Sequence, residues 1–396
     1  MKKKSLNDIT VKGKRVFLRV DFNVPLNEQL EITDDTRIKA SLPTLRHLMG
    51  EGAKIVCASH LGRPKGEEIP EFSLKPVAKR LSELLDQEII FTGEIIGPGI
   101  DSLKSRLKEG QILLLENLRF HPGETKNDRQ YAGELAKDID IYINDAFGAC
   151  HRAHASIQKI TELVPVAAAG FLLQKEIDFL GMATENPPAN YCVILGGAKV
   201  SDKIPVITNL LDKAQKILIG GAMAYTFLKA KNENVGNSRV ETDFIVTCKE
   251  IMKKAEEKQV KLLLPIDHVA AIKIEPEVTI RMIKKGKEIP EHMMGLDIGF
   301  DTIYLYKEEL ADAELIFWNG PMGVFEIENF AAGTEEIAKA VAASSATTIV
   351  GGGDSVAAVH KSGVAEKITH ISTGGGASLE FLSGKKLPGI ESLSDT

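Results

Sequence analysis

The chain has 396 residues, 43% hydrophobic and 26% charged, with a formal net charge of −6 at pH 7. That length supports roughly two or three globular domains, and the net negative charge argues against bulk attraction to nucleic acid or acidic membranes while allowing local basic patches. No uninterrupted apolar run approaches the ~20 residues of a membrane span, and the lysines of "MKKKSLNDIT" lead into no apolar segment of the secretory type, so a cytoplasmic protein without nucleic-acid or membrane partners is expected.

Short runs rich in Val, Ile and Leu recur along the chain, each followed by a polar or glycine-rich loop and a longer helical pattern. This is the signature of βα units around a parallel sheet. In the first half, strands are read at "RVFLRV", "KIVCAS", "ILLL" and "IYI", running into the loops "DFNVPL", "HLGRPKG", "ENLRFHPGE" and "NDAFGACHRAHAS". In open parallel sheets ligands bind beyond the carboxyl ends of the strands, where these loops lie. Ten of the twelve arginines fall within the first 152 residues, only Arg239 and Arg281 following. The two halves are therefore expected to do different chemistry.

The arginines of interest are Arg63, Arg119 and Arg152 on those loops, with Arg37 in "DDTRIKA". Each guanidinium is a rigid, permanently charged fork matching carboxylate and phosphate oxygens. One alone reads as a surface ion-pair residue, but four at one sheet edge point to a small polyanion, with Asp21 and Asn23 adding polar recognition. In "CHRAHAS", Cys150, His151 and His154 lack a convincing fourth partner for zinc, and the C-x-x-C-H of haem attachment is missing. Arg152 is the expected functional residue there, supported by both histidines, with His60 of "SHLGR" doing similar work. Cys57, Cys150, Cys192 and Cys248 lie far apart and read as reduced, intracellular thiols.

Between the halves, "LLQKEIDFLGMATENPPANY" predicts a helix from near Leu172 followed by a linker with Pro187 and Pro188. The expected division is a first lobe over residues 1–171, helix and linker over 172–189, a second lobe over 190–376, and a terminal segment over 377–396. In the second half, strands are read at "YCVIL", "KILI", "KLLL", "ELIFW", "TTIV" and "HIS", with the loops "GGAKVSDK", "GGAMAYTF", "PIDHVA", "NGPMGVFE", "GGGDSVAAV" and "TGGGASLEF". Glycine lets backbone approach a ligand, and a helix N-terminus offers free N–H groups to phosphate. One such loop is often only packing, whereas four in one half point to a phosphate ligand.

No G-x-x-x-x-G-K-[ST] and no G-x-G-x-x-G is present, so neither a P-loop enzyme nor a standard dinucleotide fold is supported. Lys199 and Lys203 are spaced i, i+4 at the start of a predicted helix, where cations oppose the dipole unless an anion is present. Asp354 reads either as a helix cap or as a holder of the magnesium that accompanies a nucleoside triphosphate.

The loops taken together closely resemble the phosphoglycerate kinase family. The matching motifs are "RVDFNVPL", "SHLGRPKG", "LLENLRFHPGE", "NDAFGACHRAHAS", "LGGAKVSDKI", "FWNGPMGVFE", "GGGDS" and "STGGGASLEFL", in the family's order from residue 16 to about 382. The resemblance implies an α/β protein of two Rossmann-like lobes, each a parallel sheet flanked by helices, joined by a helix and hinge, with the C-terminal segment returning to the first lobe. It implies reversible phosphoryl transfer between 1,3-bisphosphoglycerate and ADP, giving 3-phosphoglycerate and ATP with Mg2+, by direct in-line transfer after lobe closure, in an expected monomer.

Carried over by position, Asp21, Phe22, Asn23, Arg37, His60, Leu61, Gly62, Arg63, Arg119 and Arg152 would line the phosphoglycerate site. Gly197, Ala198, Lys203, Gly221, Gly295, Asn319, Glu326, Gly352, Gly353, Asp354 and Ser355 would line the nucleotide site, Asp354 holding the metal. Arg37 and Lys199, with backbone N–H groups near Gly353, Gly375 and Gly376, would contact the transferring group. Two departures stand out: Phe300 where the family commonly has proline, leaving the shape of the loop after Gly295 open, and Ala222 where several members have a third glycine. The rivals are a two-lobed solute-binding protein without turnover and a dehydrogenase, which would need a nicotinamide fingerprint the sequence lacks.

Overall fold

The computed structural model describes residues 2–396. The chain divides into two compact units, one running up to Asp178 and including Lys386–Thr396, the other Phe179–Lys385. The division falls inside the helix Phe171–Thr184 rather than after it. Residues 377–385, expected with the terminal segment, belong to the second unit, because the helix Gly376–Leu382 packs against the helix Ile204–Leu210. No helix among the described residues is long and apolar enough to cross a membrane.

The first unit is built on a six-stranded parallel sheet of β1 (Arg15–Val20), β2 (Lys54–Ala58), β3 (Ile89–Phe91), β4 (Ile112–Leu114), β5 (Ile141–Asp145) and β6 (Val166–Ala169), in the order β3-β4-β2-β1-β5-β6. Its central strands are apolar almost throughout, as strands covered by helices on both faces must be. The fully buried polar exceptions are Arg19 near the end of β1 and Asn144 and Asp145 at the end of β5. Chain order reverses across β1, between β2 and β5, so the loops after these strands meet at the switch point where open sheets bind ligands. The terminal segment docks beside β6: the Ser394 N–H donates to the Ala167 carbonyl (2.9 Å), and the Gly389 N–H donates to the Cys150 carbonyl (2.9 Å).

The second unit has its own six-stranded parallel sheet, formed by β7 (Tyr191–Leu195), β8 (Lys216–Ile219), β9 (Lys261–Leu263), β13 (Leu315–Asn319), β14 (Thr347–Gly351) and β15 (His370–Ile371). The order is β15-β14-β13-β7-β8-β9, with the switch between β7 and β13. An antiparallel sheet of β10 (His268–Ala271), β11 (Arg281–Ile283) and β12 (Met294–Ile298) is added to it. The sequence does not foresee this second sheet: "PIDHVA" is read as a loop, and the charged stretch between β10 and β11 breaks any period-2 pattern. Strands β3 and β6 also escape the pattern, β3 for its three half-buried residues and β6 for its run of alanines, which lack β preference.

Candidate active site

In the first unit, the loops after β1, β2, β4 and β5 gather a cluster of cationic and imidazole side chains. Arg119, 5% exposed, donates from Nη1 to the Gly62 carbonyl (2.6 Å), while its buried Nε and Nη2 have no hydrogen-bond partner. Burial, followed by Arg152 and Arg19, lowers its pKa to about 10. Burial and then Arg19, Arg119, Arg152 and Arg37 push His60 well below the usual imidazole value. His154 falls to about 3, through burial and then Arg119, Arg19, Arg152 and His151. Both imidazoles are therefore neutral at pH 7, and the cluster is a field of positive charge with donors left over.

The supporting geometry is local and traceable. Asn23 Oδ1 accepts from the Gly62 N–H (2.8 Å), and Asp21 accepts from Arg37 Nη1 (2.6 Å) and from the Asn23 N–H (3.2 Å). Gly62 has φ +60°, and a Cβ there would lie 2.4 Å from the Phe72 ring, so glycine is required for both reasons. Arg37 is not on a loop: it is in the first turn of the helix Thr36–Gly50, where a cation opposes the dipole and is only partly offset by Asp21. Arg63 remains exposed, and Arg152 donates from Nε to His151 Nε2 (3.1 Å). Phe22 and Leu61, expected in the site, send their side chains into the apolar core, so only their backbone is available to a ligand. Cys150 likewise turns inward, its Sγ beside Asn144 Nδ2 (3.4 Å), and burial pushes its thiol up to about 12.

Several supporting residues escape the sequence reading. Asn117, fully buried, accepts from the N–H groups of Leu61 (3.2 Å) and Arg119 (3.1 Å) and donates to the Leu61 and Phe72 carbonyls, tying two site loops together. Arg19, Ser156 and Glu124 form a buried polar chain under the cluster. The visible signals are a lone arginine within an apolar strand run and a glutamate in the loop that follows Arg119.

In the second unit, the loops after β7, β8, β13 and β14 interlock. The Gly197 N–H donates to the Pro321 carbonyl (2.9 Å), the Gly221 N–H to the Met322 carbonyl (2.9 Å), and the Met223 N–H to the Gly197 carbonyl (3.1 Å). Lys203 is buried and donates to Asn319 Oδ1, while Asn319 Nδ2 is buried without a partner. Burial lowers the Lys203 pKa to about 8, against the opposing pull of Asp202 and Asp354.

The predicted helical i, i+4 pairing of Lys199 and Lys203 does not form. The helix starts at Ile204 with Lys203 as its N-cap, and Lys199 sits exposed in the preceding loop. That loop is held by Glu241, which the sequence reading misses; its carboxylate accepts from the Val200 N–H, the Ser201 N–H and the Ser201 hydroxyl. Asp354 is not the helix cap: Gly352 is, with φ +91°, and Asp354 stands exposed in the first turn of Gly353–Lys361. Ser355 is buried and accepts from the Gly320 N–H, while Ala198 and Glu326 are exposed.

Gly295 is buried in β12, donating to Ser238 Oγ (2.9 Å), and a Cβ there would meet the Tyr225 hydroxyl at 2.0 Å. Neither family departure disturbs these loops. Phe300 is the exposed first residue of the helix Phe300–Leu310, whose first turn is held by the Asp267 carboxylate accepting from the Asp301 N–H (3.0 Å) and the Thr302 N–H (2.8 Å). Ala222 has φ −64° and ψ −27°, which alanine adopts without strain.

The glycines separate into two kinds. Gly220, Gly221 and Gly320 leave no room for a Cβ, which would come within 2.6 Å of neighbouring atoms. Gly353 and Gly376 have nothing within 4 Å and no positive φ, so the fold itself does not require glycine there. We expect Gly353→Ala and Gly376→Ala to fold with Tm near that of the parent; if these N–H groups serve an anion as expected from the sequence, activity should fall at least tenfold, because the methyl group would occupy the open space before them. Unchanged steady-state rates in either variant would remove that position from the site.

The chain matches the family described as phosphoglycerate kinase over residues 6–385. It is 56% identical over 402 residues to phosphoglycerate kinase of Koribacter versatilis, covering 100% of both chains. To that of Thermosipho africanus it is 55% identical over 398 residues, covering 100% of this chain and 98% of the relative. Among solved structures, phosphoglycerate kinase from Coxiella burnetii superimposes with TM-score 0.91 at 39% identity, and that from Pyrococcus horikoshii with 0.85 at 36%, each alignment covering 98% of both chains. With identity of this extent along its whole length, and an arginine cluster and glycine loops at the two switch points, the chain belongs to the phosphoglycerate kinase family.

Proposed function

We propose that the first unit holds the phosphoglycerate and the second the nucleotide in the family's reaction, reversible phosphoryl transfer between 1,3-bisphosphoglycerate and ADP that yields 3-phosphoglycerate and ATP. The chain is thus a phosphotransferase with a carboxyl acceptor, and a binding protein without turnover is not supported. The observation that carries the assignment of substrates is Arg119, a buried cation with two unpartnered nitrogens amid further arginines. Such a group is costly unless an anion completes it.

A carboxylate acceptor is ionised at neutral pH, with a pKa of roughly 3 to 4, so no general base is needed. Catalysis then consists of positioning and charge neutralisation. We assign Asp21, Asn23, His60, Arg63, Arg119 and Arg152, with the backbone of Phe22, Leu61 and Gly62, to the phosphoglycerate. Gly197, Ala198, Lys203, Gly221, Gly295, Asn319, Glu326 and Gly352 to Ser355 are assigned to the nucleotide. Arg37, Lys199 and the N–H groups near Gly353, Gly375 and Gly376 neutralise the transferring phosphoryl group. Because reacting atoms must approach to about 3–3.5 Å, the two substrates have to be brought together by closure before transfer, which small-angle scattering would register as compaction only with both bound.

Asp354 suits Mg2+ as its single protein ligand. The ion typically keeps several waters and uses one or two carboxylates plus substrate phosphates, and no group of three His, Cys, Asp or Glu arranged for a metal occurs among the described residues. Bound there with the nucleotide, it would supply neutralisation of phosphate charge. We expect the chain to act as a monomer. The four cysteines are free and buried, as suits a cytoplasmic setting.

Calorimetric titration of an Arg119→Ala protein tests the assignment of units. Phosphoglycerate affinity should fall by about a hundredfold or more with magnesium ATP affinity unchanged. Loss of ATP affinity instead, with phosphoglycerate still bound, would reverse the roles of the units.

A further inference from the structure

Beneath the arginine cluster lies a chain of buried polar groups whose proton positions are dictated by chemistry. Arg19 Nε lies 2.8 Å from Ser156 Oγ, and Ser156 Oγ lies 2.6 Å from Glu124 Oε1; all three residues are fully buried. A guanidinium can only donate and an ionised carboxylate can only accept. The serine hydroxyl must therefore accept from Arg19 and donate to Glu124, which gives the chain a single direction. Glu124 Oε2 also accepts from the Ser156 N–H (3.0 Å), so the carboxylate grips that residue at backbone and side chain together.

The other end of Arg19 meets a histidine. Its Nη2 lies 3.2 Å from His60 Nδ1, and by the same rule Nδ1 must accept. The proton of a neutral imidazole then resides on Nε2. We infer that Arg19, Ser156 and Glu124 are positioning residues that fix His60 as the Nε2–H tautomer, so that it offers phosphoglycerate one aimed N–H donor without a charge of its own. This rests on the phosphoglycerate site proposed above.

The surroundings agree. The charged groups bearing on His60 are Arg19, Arg119, Arg152 and Arg37, with the Asp21 carboxylate Oδ1 at 3.9 Å from Nδ1. Four cations against one carboxylate, together with burial, hold the ring neutral. Glu124 sits 3.8 Å from His154 Nδ1, so the same carboxylate offsets part of the positive field where a second histidine enters. Besides His60, the Arg19 guanidinium is held by Ser156 at Nε and by the Val20 carbonyl at Nη1; without Ser156 it would keep only the Val20 contact, and its donor to His60 Nδ1 would be less firmly directed.

Two measurements test this. In unliganded protein labelled with 15N in its imidazoles, His60 (assigned by its loss in His60→Gln) should show a protonated Nε2 and unprotonated Nδ1, without titrating between about pH 5.5 and about 8.5. An Nδ1–H tautomer, or titration near the ordinary imidazole value, would overturn the inference whether or not the unit binds phosphoglycerate. In Ser156→Ala, KM for 3-phosphoglycerate should rise about tenfold with KM for ATP unchanged, and the His60 signals should show a mixture of tautomers. A Ser156→Ala protein with unaltered His60 signals and parental KM values would overturn the serine link. If the parent shows Nε2–H at His60 but no phosphoglycerate binding by calorimetry, the site assignment fails and the tautomer stands.

Discussion

Arg37→Ala is expected to lower kcat by roughly 10³ to 10⁵, the range seen when an arginine is withdrawn from a phosphoryl transition state. The expectation comes from where the residue sits. In the first turn of Thr36–Gly50, its cation faces the positive end of the helix dipole, and its one ionic partner is Asp21 at 2.6 Å. The Arg37 side chain is 35% exposed but Asp21 only 10%, so removing the guanidinium strips a mostly buried carboxylate of its cation and should lower Tm modestly, an effect small beside that on kcat. Folding and catalysis are thereby separated in one protein. Arg37→Lys keeps the charge but not the planar fork, and should recover only part of the rate. An Arg37→Ala enzyme with near-parental kcat would mean that the transferring group is neutralised elsewhere.

Lys203→Met should do two opposite things: make the unliganded protein more stable at neutral pH and abolish useful turnover. Lys203 is buried against Asn319, and burial lowers its pKa to about 8 from 10.5. Between those two values the unfolded chain binds more protons than the folded one, so stability rises with pH through about 8 to 10.5. Below about pH 8 the folded protein bears the full cost of a buried ammonium, on the order of 3 kcal/mol. Methionine removes the charge at similar volume, which should raise Tm by a few degrees at pH 7, with the gain shrinking toward pH 10. The same change takes away a buried cation assigned to the nucleotide phosphates, and kcat/KM for ATP should fall by at least a hundredfold. Differential scanning calorimetry across pH, alongside steady-state rates, checks both arms; a less stable variant at pH 7 would show that Lys203 is structural.

Much of this site is legible in the sequence because its cationic residues follow apolar strands directly. Arg63, Arg119 and Arg152 each stand a few residues beyond such a run, and a permanent charge there has no structural use in a sheet. The glycine loops are legible for a similar reason, although only the structure distinguishes Gly353 and Gly376, which face open space, from Gly220 and Gly320, which other loops crowd. What stays hidden are partners distant along the chain. Arg19 meets Ser156 across 137 positions, Asn117 meets Leu61 across 56, and Glu241 meets Ser201 across 40. No periodicity or spacing joins such pairs. The position of Arg37 is lost for a different reason: "DDTRIKA" has the composition of a loop, yet it carries the first turn of a helix. Phe22 and Leu61 lie within site motifs, but their side chains serve the core.

The most direct measurement mixes the protein with magnesium ATP and 3-phosphoglycerate, traps the acyl phosphate with hydroxylamine, and quantifies the hydroxamate. Product that appears only when both substrates and magnesium are present is the predicted result, since transfer to a carboxylate leaves an anhydride that hydroxylamine captures. A folded protein that binds ATP yet forms no hydroxamate would contradict phosphoryl transfer to a carboxyl group.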